Sequence, residues 1–485
     1  MSPDHILWLV AGIVYGLVIG IIPVAGATTG LITVFSFIGI FQYGDPYAGV
    51  VFTTALVASS AIGDSFASVV MNIPGANGSA ATMIDGFPLA RQGRGAYALS
   101  AAITTSTVNG LLWGIIVFYM LPYYGSLMMI LGIPEIFGLM ILALTCIVFL
   151  NSQYWFRGIL AITLGVFLGL VGTDPETNAA RWTGGWFYLE DGIQMMALLS
   201  GLLAFPELIE GLRNHGKPTP LTPRTQWGQV WDGIKDSWHH RWLGLRGGAV
   251  GAVIGALPGL GGNIADWMAY AQTTATCKNE KVPFGKGNIK GVIGAEGANN
   301  AHKATAYLPT VLFGIPGAPF AAVVLGLFAY LGFELGSVSL LDDKQFFESL
   351  TAGYMWALVL TFPLALLTIR WLTMMTQLPF KYFFWPILAT IVWASVQYTG
   401  GWEDYAILAI FTVLGLVLRK YKFSRPALVI GFILADKIEA LTKQVNALYT
   451  MDQLLARPGF ITIIVLSVIA LVYGLFFHKN KVEFT

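Results

Sequence analysis

Charge is scarce in this chain. Of its 485 residues only 11% are Asp, Glu, Lys or Arg, and the formal net charge is +1. A near-neutral balance excludes the basic face that a nucleic-acid partner requires. Cysteine is nearly absent: Cys146 and Cys277 stand far apart in unlike settings, which indicates neither a disulfide framework nor a thiolate metal site. Catalytic signatures are missing as well. There is no HExxH, no P-loop, no dinucleotide fingerprint and no nucleophile–base pair, and GLGGN at 259–263 lacks the GK[ST] that would make it a phosphate loop. The N-terminus has neither a basic region nor a small-residue cleavage pattern, so its first apolar stretch reads as retained.

What fills the chain instead is apolar surface. Hydrophobic residues make up 56% of it, the mean hydropathy is strongly positive, and runs such as Ile159 to Val171 and Ile461 to Phe477 carry no charge. So many runs of this kind exceed what soluble core helices need, and they define a polytopic all-α membrane protein. An apolar helix from Ile6 to Ile22 breaks at Pro23, and a short apolar piece follows from Gly30 to Phe41. At about 1.5 Å per residue that piece is well short of a bilayer core, so the pair reads as a re-entrant hairpin. The chain breaks again at NIPGANGS, 72–79, and leaves the membrane at DGFPLARQGRG, 85–95, whose Arg91 and Arg94 favour the cytoplasm. Spans are expected near 97–121, 133–151, 157–173 and 193–209, then near 349–369, 380–398, 404–418, 424–440 and 459–477. With the broken segments this makes about a dozen membrane segments. Residues 211–246 read as a basic, cytoplasmic linker between a first half (1–210) and a second (247–485).

The halves repeat one another. Gly12, Gly16, Gly20, Pro23, Gly26 and Thr28 match Gly247, Gly251, Gly255, Pro258, Gly261 and Asn263, all 235 positions apart, and Ile73 to Ala76 matches Ile315 to Ala318 at 242. Glycine at every fourth position bares one helix face, so another backbone can approach it. Proline and the glycines after it then end the helix. Two repeats with paired broken helices favour an inverted relation.

A broken helix offers N–H groups at one end and carbonyls at the other. In a cavity at mid-depth the N–H ends favour an anion, and the carbonyl ends favour a cation such as sodium. The anion or substrate candidates are therefore Ala25, Gly26, Ala27, Thr28 and Thr29; Pro74, Gly75, Ala76, Asn77 and Ser79; Gly261, Gly262 and Asn263; and Pro316, Gly317 and Ala318. The ion candidates are Pro23, Asn72, Pro258, Gly259 and Gly314, joined by Glu296, Asn299 and Asn300, whose side chains offer oxygen. Thr28, Thr29 and Asn263 are equally placed to cap helices, and the 296–303 stretch also reads as a capped loop. Asn77, an amide deep in lipid, needs a partner, and Asp64 and Asp266 are candidates of the same kind.

The paired G-x-x-x-G-x-x-P segments, NIPG followed by SAAT and DGFPLARQGR at 79–94, FGKGNIKGV at 284–292, EGANNA at 296–301 and GIPG at 314–317 resemble the TctA family, the large membrane subunit of tripartite tricarboxylate transporters. Val24 and Ala25 separate Pro23 from Gly26 where the family has Pro-Gly, and Gly297 stands where Ala is common. The resemblance implies a multi-pass carrier in the bacterial cytoplasmic membrane that takes up a small carboxylate, driven by a sodium or proton gradient. It implies a small membrane subunit (TctB-like), a periplasmic solute-binding protein (TctC-like) and an elevator-like movement; no cofactor beyond the coupling ion is expected. A gradient-independent channel and a membrane-embedded enzyme are the other readings.

Overall fold

The computed structural model describes residues 3–22, 25–73, 79–124, 132–149, 155–174, 177–213, 227–257, 261–278, 280–375, 381–395 and 401–476. Among the described residues the regular structure is helical apart from one two-residue strand pairing, Gly172–Thr173 with Ala180–Arg181. Its principal helices are α1 (Pro3–Ile21), α2 (Gly26–Val34), α3 (Pro46–Met71), α4 (Ala80–Arg91), α5 (Gly95–Met120), α6 (Ile133–Phe149), α7 (Trp155–Gly169) and α8 (Phe205–Arg213). After these come α9 (Trp227–His239), α10 (Arg241–Ala256), α11 (Gly261–Thr276), α12 (Ile289–Phe313), α13 (Pro319–Tyr330), α14 (Lys344–Leu367), α15 (Lys381–Ser395), α16 (Trp402–Lys420), α17 (Arg425–Leu448) and α18 (Pro458–Phe476). Among the described residues four helices are long and apolar enough to cross a membrane, namely α1, α3, α5 and α14, and seven apolar helical stretches are shorter. The chain is a multi-pass membrane protein.

Two helices sit at the centre, α3 and α12. Each is bounded by residues suited to its ends. Asp45 accepts from the Tyr47 N–H with Pro46 in the first turn, and Asn288 accepts from the Lys290 N–H. Asn72 and Gly314 close the far ends in the left-handed conformation, with φ of 57° and 61°, which asparagine and glycine tolerate best.

The glycine stripes do what their spacing predicts. Gly12 lies on Phe52 and Ala55, Gly16 on Leu56 and Ser59, and Gly20 on Ser60 and Gly63. Both numbers rise together, so α1 runs parallel to α3. Likewise Gly247 meets Gly294, Gly251 meets Ala298, and Gly255 meets His302 and Thr305, so α10 runs parallel to α12. A Cβ built on Gly251 would lie 2.6 Å from the Ala298 Cα, a contact with backbone that no rotamer change relieves. Gly251→Val is expected to destabilise the protein by about 1–3 kcal/mol through overpacking. A lowered melting temperature of the detergent-purified chain checks this; an unchanged one refutes the close approach.

These pairs belong to two bundles that run in opposite directions. Tyr47 bonds Asp343 at 3.1 Å and Gly353 packs on Val51 and Thr54, which makes α14 parallel to α3. Ser237 bonds the Ala101 carbonyl at 3.0 Å and Gly248 meets Asn109, which makes α9 and α10 parallel to α5. Between the bundles, Gly110 faces Leu358 and Gly114 faces Met355, so α5 and α14 are antiparallel. From residue 227 the segment expected as a linker is helical, because Val230, Gly233 and Ser237 are buried along one side of α9 and pack against the start of α5.

Candidate functional site

The central helices cross near their midpoints, at Ala61–Ser65 of α3 and Glu296–Lys303 of α12, and five ionisable groups meet there. The Lys303 ammonium lies 3.0 Å from an Asp64 carboxylate oxygen, with both side chains almost wholly buried. One Glu296 oxygen accepts from the Ser65 and Thr82 hydroxyls, each at 2.8 Å, and the other accepts from the Asn299 amide at 3.1 Å. Asn299 also donates to the Ala61 carbonyl at 3.0 Å, joining α12 to α3. The fourth group is Asp266 on α11, 1% exposed, with neither oxygen hydrogen-bonded. Its neighbour is His302 Nδ1 at 3.9 Å. That nitrogen lies 3.0 Å from the Ala298 carbonyl, which can only accept, so Nδ1 carries the hydrogen and bonds Ala298.

The ends of two further helices reach this cluster. Gly20, near the end of α1, packs on Ser60 and Gly63, beside the Asp64 level of α3. Gly255, near the end of α10, packs on His302 and Thr305, either side of Lys303. Membrane ionisable groups at this depth are costly and occur where they are used.

The breaks themselves differ from the simple picture. Pro23, Pro74, Gly75, Ala76, Asn77, Pro258 and Gly259 lie outside the described residues. Thr28 and Thr29 do not cap a helix, since α2 begins at Gly26 after Ala25, which makes no side-chain cap bond. Ala25, Gly26, Ala27 and Thr29 are buried. Asn263 falls within the first turn of α11, which begins at Gly261. The sequence missed that glycines 261 and 262 accept helical angles as readily as irregular ones. Asn72 terminates α3, and Ser79 accepts from the Ser68 hydroxyl at 2.9 Å. The second-half break is folded onto its own helix. Gly317 donates to the Thr310 hydroxyl at 3.2 Å and packs on Ala306, and Pro316 and Ala318 are buried beside it. Asn300 is engaged across the bundles: it donates to Ser106 at 3.1 Å, and Tyr354 donates to its carbonyl at 3.0 Å.

Cations also approach the breaks, and no local sequence pattern announces them. Lys437 on α17 donates to the Leu335 carbonyl at 2.9 Å and stands against Gly314. Thr29 donates to Glu207 at 3.2 Å, and the other Glu207 oxygen lies 3.9 Å from the Arg425 guanidinium. Arg419 and Arg425 donate to the Pro206 and Leu202 carbonyls, each at 3.1 Å. An open cleft of about 420 Å³ lined by Tyr47, Leu331, Phe333, Glu334 and Asp343 contains none of the cluster residues.

The motifs at 85 and 284–292 form a separate polar clamp. One Asp85 oxygen accepts from the backbone N–H groups of Gly285, Gly287 and Asn288 at 2.8, 3.0 and 2.8 Å. The other accepts from the Tyr270 hydroxyl at 2.9 Å. Every donor is matched, so the clamp is architectural and holds α4, α11 and the turn before α12 together.

A helical membrane fold with a charged cluster buried at the crossing of its two central helices defines the class of membrane transport proteins. Residues 6–430 match the family described as the tripartite tricarboxylate transporter TctA family, and the chain belongs to it. It is a membrane component of a tripartite tricarboxylate transport system. It is similar to an uncharacterized 52.8 kDa protein in the TAR-I ttuC′ 3′ region of Agrobacterium vitis, at 27% identity over 90% of this chain and 86% of that one. An uncharacterized protein in the TAR-II ttuC′ 3′ region of the same organism is 30% identical over 39% of this chain and 78% of its own. No solved structure matches.

Proposed function

We propose that the chain is the carrier subunit of a secondary uptake system for a small carboxylate in the bacterial cytoplasmic membrane. A periplasmic binding protein delivers the solute, a small membrane subunit completes the membrane complex, and a sodium or proton gradient drives uptake. Membership of the TctA family carries this reading. In it the carboxylate binds between the hairpin tips near 23–29 and 258–263 and the breaks near 72–79 and 314–319. Lys437 at Gly314 favours an anion at that break.

The packing supports two inverted repeats. Helices α3 and α12 correspond at a spacing of 242, since 46–71 maps onto 288–313, and they belong to the two oppositely directed bundles. Gly110 on α5 faces Asn300 of α12, as Gly353 on α14 faces Thr54 of α3, so the contacts exchange as a two-fold axis in the membrane plane requires. The glycine faces of α1 and α10 bind those helices closely to α3 and α12, so each pair would travel as a unit in an elevator-type movement.

The test is uptake of labelled carboxylates into proteoliposomes holding the chain, its small subunit and the binding protein. Uptake is expected only with all three components and an imposed sodium or proton gradient. Undiminished accumulation after both gradients are collapsed would sink the reading, and single-channel currents would mark a channel instead.

A further inference from the structure

The central cluster contains one acid that the rest of the architecture does not explain. Asp64 has the Lys303 ammonium at 3.0 Å. Glu296 has three hydrogen-bonding partners on its two oxygens, so neither oxygen is left unmatched. Asp266 has no counter-charge in contact and no donor, although it is 1% exposed. A carboxylate in that position keeps its full desolvation cost, whereas a carboxylic acid there costs little more than any polar group. The position is also next to the parts expected to move, since Asp266 lies just over one helical turn from the start of α11 at Gly261.

We propose that Asp266 takes up and releases the proton that couples transport. On one side of the cycle a proton from water forms an O–H bond with the carboxylate; on the other that bond breaks to water, and the electron pair returns to the oxygen. No other reactant is needed. The inference rests on the carrier reading above and assigns its coupling ion.

The surroundings of Asp266 fit a proton better than a metal cation. Ala265 and Ala269, on the same helix as Asp266, pack with Ala298, Val250 and Ile254. Among the described residues no group of three acids, histidines or cysteines is placed to hold a metal ion. The charged and titratable groups facing it are Glu296, His302 and Lys303 from α12 and Asp64 from α3. Tyr270, one turn further along α11, is held by Asp85 from α4. Lys303 is engaged by Asp64 and His302 by Ala298, so neither neutralises Asp266. The ion pair Asp64–Lys303 sets a local field at Asp266, and that field changes when α11 shifts.

Infrared difference spectroscopy between acidic and alkaline buffer tests this on the full chain in liposomes. The wild type is expected to show the carbonyl stretch of a buried carboxylic acid, shifted in heavy water, and Asp266→Asn is expected to lose that band. The same variant is expected to lose carboxylate accumulation driven by a proton gradient while still exchanging internal for external carboxylate. If Asp266→Asn does not accumulate in the membrane, Asp266→Ala gives the same infrared readout. A band unchanged in the variant, or no such band in the wild type, overturns the proposal. So does a melting temperature that rises with sodium chloride but not choline chloride in the wild type and loses that response in the variant. Failure of gradient-driven uptake in the wild type would count against the carrier reading and leave the infrared result to judge the proton site.

Discussion

Replacing Lys303 by methionine is expected to cost about 3–5 kcal/mol of stability, the usual result of stranding one member of a buried ion pair. Asp64 is 0% exposed, and its second oxygen has no hydrogen-bond partner, so losing the ammonium leaves nothing to balance the charge. Methionine keeps the length and most of the volume of lysine, which isolates charge from packing. The double variant Asp64→Asn/Lys303→Met removes both charges and is expected to recover most of the loss. Thermal melts of the purified chain in detergent for wild type, both single variants and the double complete the cycle. If the losses simply add, the two residues do not act as a pair in the folded protein.

Truncating Asp85 to alanine is the second large effect. One carboxylate oxygen holds three backbone N–H groups and the other holds Tyr270. Each stranded buried donor costs about 1–3 kcal/mol, so the total is expected to exceed roughly 3 kcal/mol. The loss should be localised: the turn at 281–288 is expected to become sensitive to proteolysis before the chain melts. Asp85→Asn, which keeps an acceptor but not the charge, is expected to lose less. Equal stability of wild type and Asp85→Ala, with no new cleavage in that turn, would show that the clamp does not support α11 and α12.

The two parts of the protein that the sequence describes best are governed by local rules. Helix spans were legible because long apolar runs have few alternatives in a membrane. The stretches expected near 97–121 and 349–369 are the helices Gly95–Met120 and Lys344–Leu367. The close contacts of Gly12, Gly16 and Gly20 and of Gly247, Gly251 and Gly255 follow from their spacing alone, since a bare helix face is useful only against another backbone. Capping was read less well. Asn263 and Thr28 have the chemistry of caps, but their helices start two residues earlier, at Gly261 and Gly26.

The candidate site shows the same division. Glu296, Asn299 and Asn300 stood out as polar residues in a run of small ones, and Asp64 and Asp266 as lone acids in apolar surroundings. Nothing local pairs Asp64 with Lys303, 239 positions away, or places Glu207, Arg419, Arg425 and Lys437 near the breaks. Those partners come from helices whose own sequences read as scaffold.

The sequence by itself determined an all-helical membrane protein with two matching sets of glycine and proline motifs and the signature of the TctA family, because hydropathy, proline and glycine act within a few residues. Only the tertiary structure decided which charges meet. Two oppositely directed bundles cross at Ala61–Ser65 and Glu296–Lys303, and that crossing gives Asp64 a counter-ion, gives Glu296 its donors and leaves Asp266 with neither. The energy of a buried charge depends on what lies within a few ångströms in space, and distance along the chain carries no record of that.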